Sequence, residues 1–504
     1  MVLTRKSGVW VIIVFCIAWA SLAGIEKLDY WIDQWTWLWA NKLDPGWLIT
    51  SLSGSGWWIR PGLFFPLYGM LYGVIPRATL MFSGVVIKTF NSLAVYLVAY
   101  SLTHKKTPAV LAMFLFAAYG GNMQSYTLEQ PAGVGAGFAF LALAFNNFYL
   151  DHLEKKYWLG MVLCSLLALS CFFGRFLGIF PVFLLTTLLS AYKKWRREYV
   201  FYFLFLIIIF LSLGLIIKNY DLSSTGITLK GFKNLPNIND YLANIGSLIN
   251  IISYKNPELG GALGVFPTFS LILGNGLVLA GLVALVRYVF IKSNFFKILT
   301  ICIAWPFLTY LPTWIAADYI VTIAHRYQGV SALFFPLLLG IILSKFPKWA
   351  QIISFIPIFI ILINQSTYFM DRERNLRGID KTTPVYNEIV QKTKHDPLPR
   401  LIVIHTSQDY INTFFLPITY AYFKGINSHE QFTPFYTNLD TAAEWICAKD
   451  ADKDRIRIKY GIASSQAGRP VLPENVYAWT LTKDDHLTDV SEGFRSRIRD
   501  CKKI

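Results

Sequence analysis

Charge is scarce in this chain. Of 504 residues only 15% are charged, and acids are fewer than bases, 30 against 46, for a formal net charge of +16. Soluble domains carry about 25% charged residues, so the composition argues against an ordinary cytosolic enzyme. Six cysteines are too few for a disulfide-dense scaffold. The sequence has no GxxxxGK[ST] phosphate loop, which argues against nucleotide-driven transport. It has no His/Asp cluster with metal-ligand spacing, no TPR-like period, no heptad array and no low-complexity tract. What it has is apolar surface: 55% hydrophobic and 16% aromatic residues, with a mean hydropathy of +0.45. Several runs approach the roughly 20 residues that a helix needs to cross a bilayer. The pI of about 9.4 comes from short Lys/Arg clusters between those runs, which fits the positive-inside rule better than a nucleic-acid face. The chain reads as an integral membrane protein.

Arg5 and Lys6 precede an apolar run from Gly8 to Ile25. A signal peptide begins this way, but the run is longer than a typical h-region and no small-x-small cleavage site follows. An uncleaved first helix with a cytoplasmic N-terminus is the expectation. Further spans are expected at 78–101, 108–122, 132–150, 158–174, 177–192, 199–217, 268–289, 298–315, 329–344 and 350–369, eleven in all. With Arg5 inside, Lys105-Lys106, Lys155-Lys156, the 193–197 cluster, Arg287 to Lys297 and Lys345 to Lys348 all fall in the cytoplasm. The odd count then puts the C-terminus outside. Residues 370–504 are more polar and carry strand-like pieces at 401–406, 455–462 and 476–481, a small extracytoplasmic α/β domain. Cys447 and Cys501 lie in it and could pair in an oxidising compartment. The expected architecture is thus a polytopic α-helical membrane domain, 1–369, with external loops at 26–77 and 219–267, followed by a periplasmic α/β domain, 370–504.

The external side collects the residues that can do chemistry. Tyr30 to Trp39 reads as an amphipathic interfacial helix, its Trp residues anchoring in the headgroup layer. Asp33 lies within it, just beyond the first span. A carboxylate there is either solvated as a cap or surface acid, or serves as a general base beside an apolar interface. Asp29 is the neighbouring choice, and Glu129, in a short turn before Pro131, is the next. Arg60 in WWIRPGLFFPLYG either snorkels or clamps phosphate through paired hydrogen bonds. The 158–192 stretch is too long for one crossing, and its flanking lysines need both ends inside. Two spans meeting outside at Gly174-Arg175 follow from that arithmetic. Another external turn holds Asp318 and the triplet His325-Arg326-Tyr327.

The order of these elements resembles the GT-C superfamily of membrane glycosyltransferases. An acid follows the first helix in YWIDQW, and an Arg-Pro element follows in WWIRPGLFFPLYGMLYGV. FNSLAVYLVAYSL matches a span with Asn and small residues, and YTLEQPAGVGAG an acidic turn beside Pro. GRFLGIFPVFLL and HRYQGVSALFFPLLLG complete the series. Together they cover about residues 8–345. The layout is most similar to the phage-type serotype-converting O-antigen glucosyltransferases, with a large first external loop and an external C-terminal portion. It departs from lipid A aminoarabinose transferases and protein mannosyltransferases in that C-terminal part.

The resemblance implies inverting transfer of a sugar, glucose in the serotype-converting case, from undecaprenyl phosphate to a glycan hydroxyl in the periplasm of a bacterial inner membrane. Asp33 is the expected base, with Asp29 and Glu129 as alternatives. Arg60, Arg175, His325 and Arg326 would hold the departing lipid phosphate and stabilise its charge. Trp57, Trp58 and Tyr327 would contact sugar or acceptor, although membrane anchoring suits the Trp pair as well. No metal or cofactor is required by these residues, and a divalent ion near the acidic loop, as in some relatives, stays compatible with them. The implied partners are the lipid-linked donor, a glycan acceptor and membrane lipid, with no nucleic acid. Two other classes compete. A lipid-linked-sugar flippase or transporter would show internal repeats and midplane charges, and a polysaccharide ligase or polymerase would use a diphosphate-linked donor.

Overall fold

The computed structural model describes residues 5–30, 34, 38, 41–42, 64–121, 123–127, 130–171, 176–193, 195–219, 238–250, 267–316, 329–396, 401–406, 420, 423–425, 435–436, 438–447, 473–482 and 486–501. It divides into two compact units. The first comprises 1–25, 48–68 and 79–370; the second comprises 26–47, 69–78 and 371–504. On the sequence alone, all of 26–77 goes with the membrane domain. Its two ends, 26–47 and 69–78, group instead with the unit that holds the C-terminal sheet: Asp29 hydrogen-bonds to Arg377 and Thr382, and Gly69, Tyr72 and Arg77 bond back to Asn41, Gln34 and Leu28.

Each expected apolar run falls on a helix of the first unit. The first two are α1 (Arg5–Ser21) and α2 (Arg77–Thr103). Helices Lys106–Ala118, Gln130–His152, Lys155–Cys171, Ile179–Lys193, Arg197–Asn219, Pro267–Ile291, Asn294–Ala316 and Phe334–Leu343 follow. The last, α3 (Lys348–Arg377), continues past the membrane unit's final residue, Met370. Among the described residues five helices are long and apolar enough for a full crossing: Arg77–Thr103, Gln130–His152, Thr268–Ile291, Asn294–Pro312 and Lys348–Asn375. Four apolar helices are shorter: Gly8–Ser21, Lys106–Ala118, Ile179–Lys193 and Ser331–Leu343. Ile352, Ile356 and Ile360 on α3, and Leu279, Val283, Val286 and Phe290 on Pro267–Ile291, are exposed apolar residues. Such a face suits a hydrocarbon solvent rather than water.

Inside the unit the helices pack as membrane helices do, through small residues and interhelical polar contacts. Gly340 sits where a Cβ would lie 2.6 Å from the Ala112 nitrogen, so Phe334–Leu343 and Lys106–Ala118 approach backbone to backbone. Asn146 Nδ2 donates to Thr186 Oγ1 at 2.8 Å and its Oδ1 accepts from the Tyr202 hydroxyl at 2.6 Å. Phe140 packs between Phe116 and Trp305, whose indole donates to the Val330 carbonyl at 2.7 Å. Three helix hairpins turn on a single left-handed residue: His104 (φ 53°), Leu153 (φ 57°) and Lys292 (φ 52°). Each of these N–H groups bonds to the carbonyl of a tyrosine four residues back, Tyr100, Tyr149 or Tyr288, closing the helix end as a C-terminal αL cap does.

The second unit is built on a four-stranded sheet of order β2-β1-β3-β4, from β1 (Leu401–His405), β2 (Phe435–Tyr436), β3 (Val476–Leu481) and β4 (Leu487–Asp489). β1 runs parallel to both β2 and β3, and β4 is antiparallel to β3. Parallel pairing buries the central strands on both faces, and Leu401 to Ile404 are all buried. Leu401, Val403, Val476 and Ala478 form one core with Ala442, Ile446, Phe494 and Ile498 of helices Leu439–Cys447 and Ser491–Cys501. Two of the three expected strands are therefore β1 and β3; the third, 455–462, lies outside the described residues. Cys447 is disulfide-bonded, and Cys16, Cys164, Cys171 and Cys302 are free.

Candidate functional site

Of the acids expected at the site, Asp29 is described, and it lies in the second unit. It follows α1 by eight residues, and the chain there pairs with the start of helix α4 (Ile379–Lys392) through an antiparallel bridge between Leu28 and Gly378. Asp29 is 4% exposed. One carboxylate oxygen accepts the Tyr30 N–H at 2.8 Å and the other accepts the Thr382 hydroxyl at 2.7 Å. Its main chain is held equally firmly. Asp29 N donates to the Arg377 carbonyl at 2.7 Å, and Arg377 Nη1 donates to the Asp29 carbonyl at 2.9 Å. Arg377 Nε completes an ion pair with Glu373 at 2.9 Å, one helical turn earlier. Arg77 Nη1 donates to the Leu28 carbonyl.

Burial raises the Asp29 carboxyl above its ordinary value. The Thr382 and Tyr30 hydrogen bonds and the charges of Arg77 and Arg377 pull the other way. With both oxygens occupied, this carboxylate anchors the start of the first loop. Beyond it, Gln34 Nε2 donates to the Tyr72 hydroxyl at 3.2 Å and Asn41 Nδ2 to the carbonyls of Gly69 and Tyr72 at 2.9 and 2.8 Å. Both ends of the loop are thus tied by side chains that reach across it.

Asp33, Glu129, Arg60, Arg175, His325, Arg326, Tyr327, Trp57 and Trp58 lie outside the described residues. Among the described residues no group of three or more His, Cys, Asp or Glu side chains could hold a metal ion.

The first unit holds a second cluster, absent from the expectations drawn from sequence. Lys88 lies in the middle of α2 and is fully buried. Its Nζ donates to Ser21 Oγ, the last residue of α1, at 2.6 Å. The Ser21 hydroxyl gives its own proton to the Ala18 carbonyl at 2.8 Å, which turns its lone pairs toward the lysine. The ring of Tyr126 lies 5.8 Å from the ammonium and is pinned by Asn91, whose Nδ2 donates to the Tyr126 hydroxyl at 3.1 Å and to the Gly133 carbonyl at 2.9 Å. Gly84 allows this: a Cβ there would collide with the Tyr126 carbonyl. Among the described residues no carboxylate pairs with Lys88, and Asn91 Oδ1 and Ser125 Oγ have no hydrogen-bond partner. One signal could have found the cluster: an ionisable residue ten positions inside an apolar span.

No family model and no curated protein matches the chain. Among solved structures it is similar to the Archaeoglobus fulgidus oligosaccharyltransferase in the apo form, with a TM-score of 0.47 and 13% identity over 94% of this chain and 69% of that chain. It is also similar to AglB of the same organism in complex with an inhibitory peptide and a dolichol-phosphate, with a TM-score of 0.46 and 13% identity over 95% and 70% of the two chains. A complex of the oligosaccharyltransferase with Zn and sulfate gives a TM-score of 0.46 and 14% identity over 94% and 67%. At this level no residue's role passes from those proteins to this chain.

Proposed function

We propose that the chain is an inverting membrane glycosyltransferase that moves a sugar from a polyprenyl-phosphate carrier to a hydroxyl of an extracytoplasmic glycan. The observation that carries this reading is the anchored start of the first external loop. Asp29, buried and hydrogen-bonded through both carboxylate oxygens and its main chain, holds the backbone four residues ahead of Asp33. A general base works only when held within hydrogen-bond reach of the proton it removes, and a loop tied at its root supplies that positioning. Asp33 is the base in this reading and Asp29 its support. Arg60, Arg175, His325 and Arg326 hold the phosphate, whose negative charge grows as the anomeric bond breaks. Trp57, Trp58 and Tyr327 contact the sugars.

In its finer form the reading takes undecaprenyl-phosphate glucose as donor and O-antigen as acceptor. The N-terminus is in the cytoplasm of a bacterial inner membrane, and the active site and C-terminal domain are in the periplasm. Catalysis needs no metal in this scheme, because the lipid phosphate is already an adequate leaving group.

The test is transfer by the purified protein from synthetic polyprenyl-phosphate glucose to O-antigen without ATP. Asp33→Asn keeps shape and loses the proton acceptor, so turnover at saturating donor is expected to fall about 10²–10⁴-fold. Sugar carried across a membrane without transfer overturns the reading in favour of a flippase. Native turnover in Asp33→Asn together with a dead but folded Asp29→Asn moves the base to Asp29.

A further inference from the structure

We propose that Lys88 is one half of an anion site whose other half is the phosphate headgroup of the lipid-linked donor. The inference rests on the glycosyltransferase reading and adds a residue deep in α2 to the phosphate-binding set. An ammonium carries three donors, and here a single hydrogen bond, to Ser21 Oγ, engages them. Among the described residues the other electrostatic contact is the face of Tyr126. A charge removed from water without a counter-charge is strongly disfavoured. A neutral serine and a ring 5.8 Å away offset little of that penalty. An arriving phosphate would offset it.

The position within the bundle agrees. Lys88 lies roughly 16 Å along α2 from Arg77 at 1.5 Å per residue, level with the last residue of α1 and with the turn that precedes Gln130–His152. That is the end of the bundle opposite the basic turns Lys105-Lys106 and Lys155-Lys156. By the charge rule it is the external end, where the donor's headgroup resides. Since Nζ is closed off in this state, the site forms when the four-carbon stem turns away from Ser21 toward the entering phosphate, as lysine stems do at interfaces.

The experiment titrates the full-length protein in nanodiscs with a short-chain polyprenyl monophosphate, the matching polyprenol and inorganic phosphate. The native protein is expected to prefer the phosphate lipid over the alcohol by at least about tenfold, the size of one charged hydrogen bond. Lys88→Met, similar in length and uncharged, should erase that preference while melting no lower than the native protein, and Lys88→Arg should keep part of it. A Lys88→Met protein that retains the preference overturns the inference. So does inorganic phosphate that competes as well as the lipid, which would make the ligand a free anion. If Lys88→Met does not fold, a photoreactive polyprenyl phosphate is crosslinked to the native protein. Label on α1 or α2 supports the site, and label confined elsewhere overturns it. Lys88-dependent binding without sugar transfer would sink the proposed function and leave this site standing. Transfer with unchanged donor affinity in Lys88→Met would do the reverse.

Discussion

Each unit of this protein buries a cation, and the two are treated in opposite ways. Arg377, 1% exposed, is met by the Glu373 carboxylate and the Asp29 carbonyl. Lys88, equally buried, is met by one hydroxyl and one ring face. The guanidinium suits the first setting because its planar fork holds several acceptors at once. The ammonium suits the second because it is a single charge on a flexible stem, able to change partners. The paired cation fastens its unit, and the lysine is the one on which the proposed anion site rests.

The largest effect on stability should come from breaking the saturated site. Arg377→Met leaves Glu373 buried without its cation and removes a donor from the Asp29 carbonyl, so the second unit should lose about 3–5 kcal/mol. Protease sensitivity of residues 371–504 reports it, and Lys88→Met in the same assay should leave that unit unchanged. Equal losses in both variants would erase the contrast between the two cations. Next in size is Thr382→Val, which strips one oxygen of Asp29 of its donor. About 1–3 kcal/mol is expected, the penalty of an unsatisfied buried acceptor, read as a shift in the denaturation midpoint of the same unit.

The smallest effect is in pH. Because burial raises the Asp29 carboxyl, the folded unit holds that proton more tightly than the unfolded chain. Its contribution is fully present below the ordinary carboxylate range and is lost as pH rises through the raised value. Native protein should therefore lose part of its stability as pH rises above about 4, and Asp29→Asn should remove that part of the slope. An identical slope in both proteins would assign the pH dependence to other groups.

The helices were legible because apolar runs of this length have few alternatives. Their ends were less so. The span expected at 350–369 is the core of a helix that runs from Lys348 to Arg377, because Asp371, Arg374 and Arg377 propagate a helix as readily as Ile does on an exposed or paired turn. β1 and β3 were visible as short buried runs, whereas β2 and β4, two and three residues long, carry too little pattern to be seen. The hairpin caps were hidden because His104, Leu153 and Lys292 occupy a conformation usually given to glycine. At the site, Asp29 could be named from its place after α1. Its partners Arg377 and Thr382 lie about 350 positions away in the chain, and no local pattern encodes them.

That separation governs when the protein can be finished. Asp29 is synthesised early, and two of its hydrogen-bond partners, Arg377 and Thr382, emerge 348 and 353 residues later. At 5–20 residues per second the interval is roughly 20–70 s, during which Asp29 lacks the two partners that come from the C-terminal part of the chain. The second unit is thus a late event in biogenesis, dependent on the entire membrane unit having been made first. A ribosome stalled before residue 377 would release a chain whose helices can insert while the root of its acidic loop stays open.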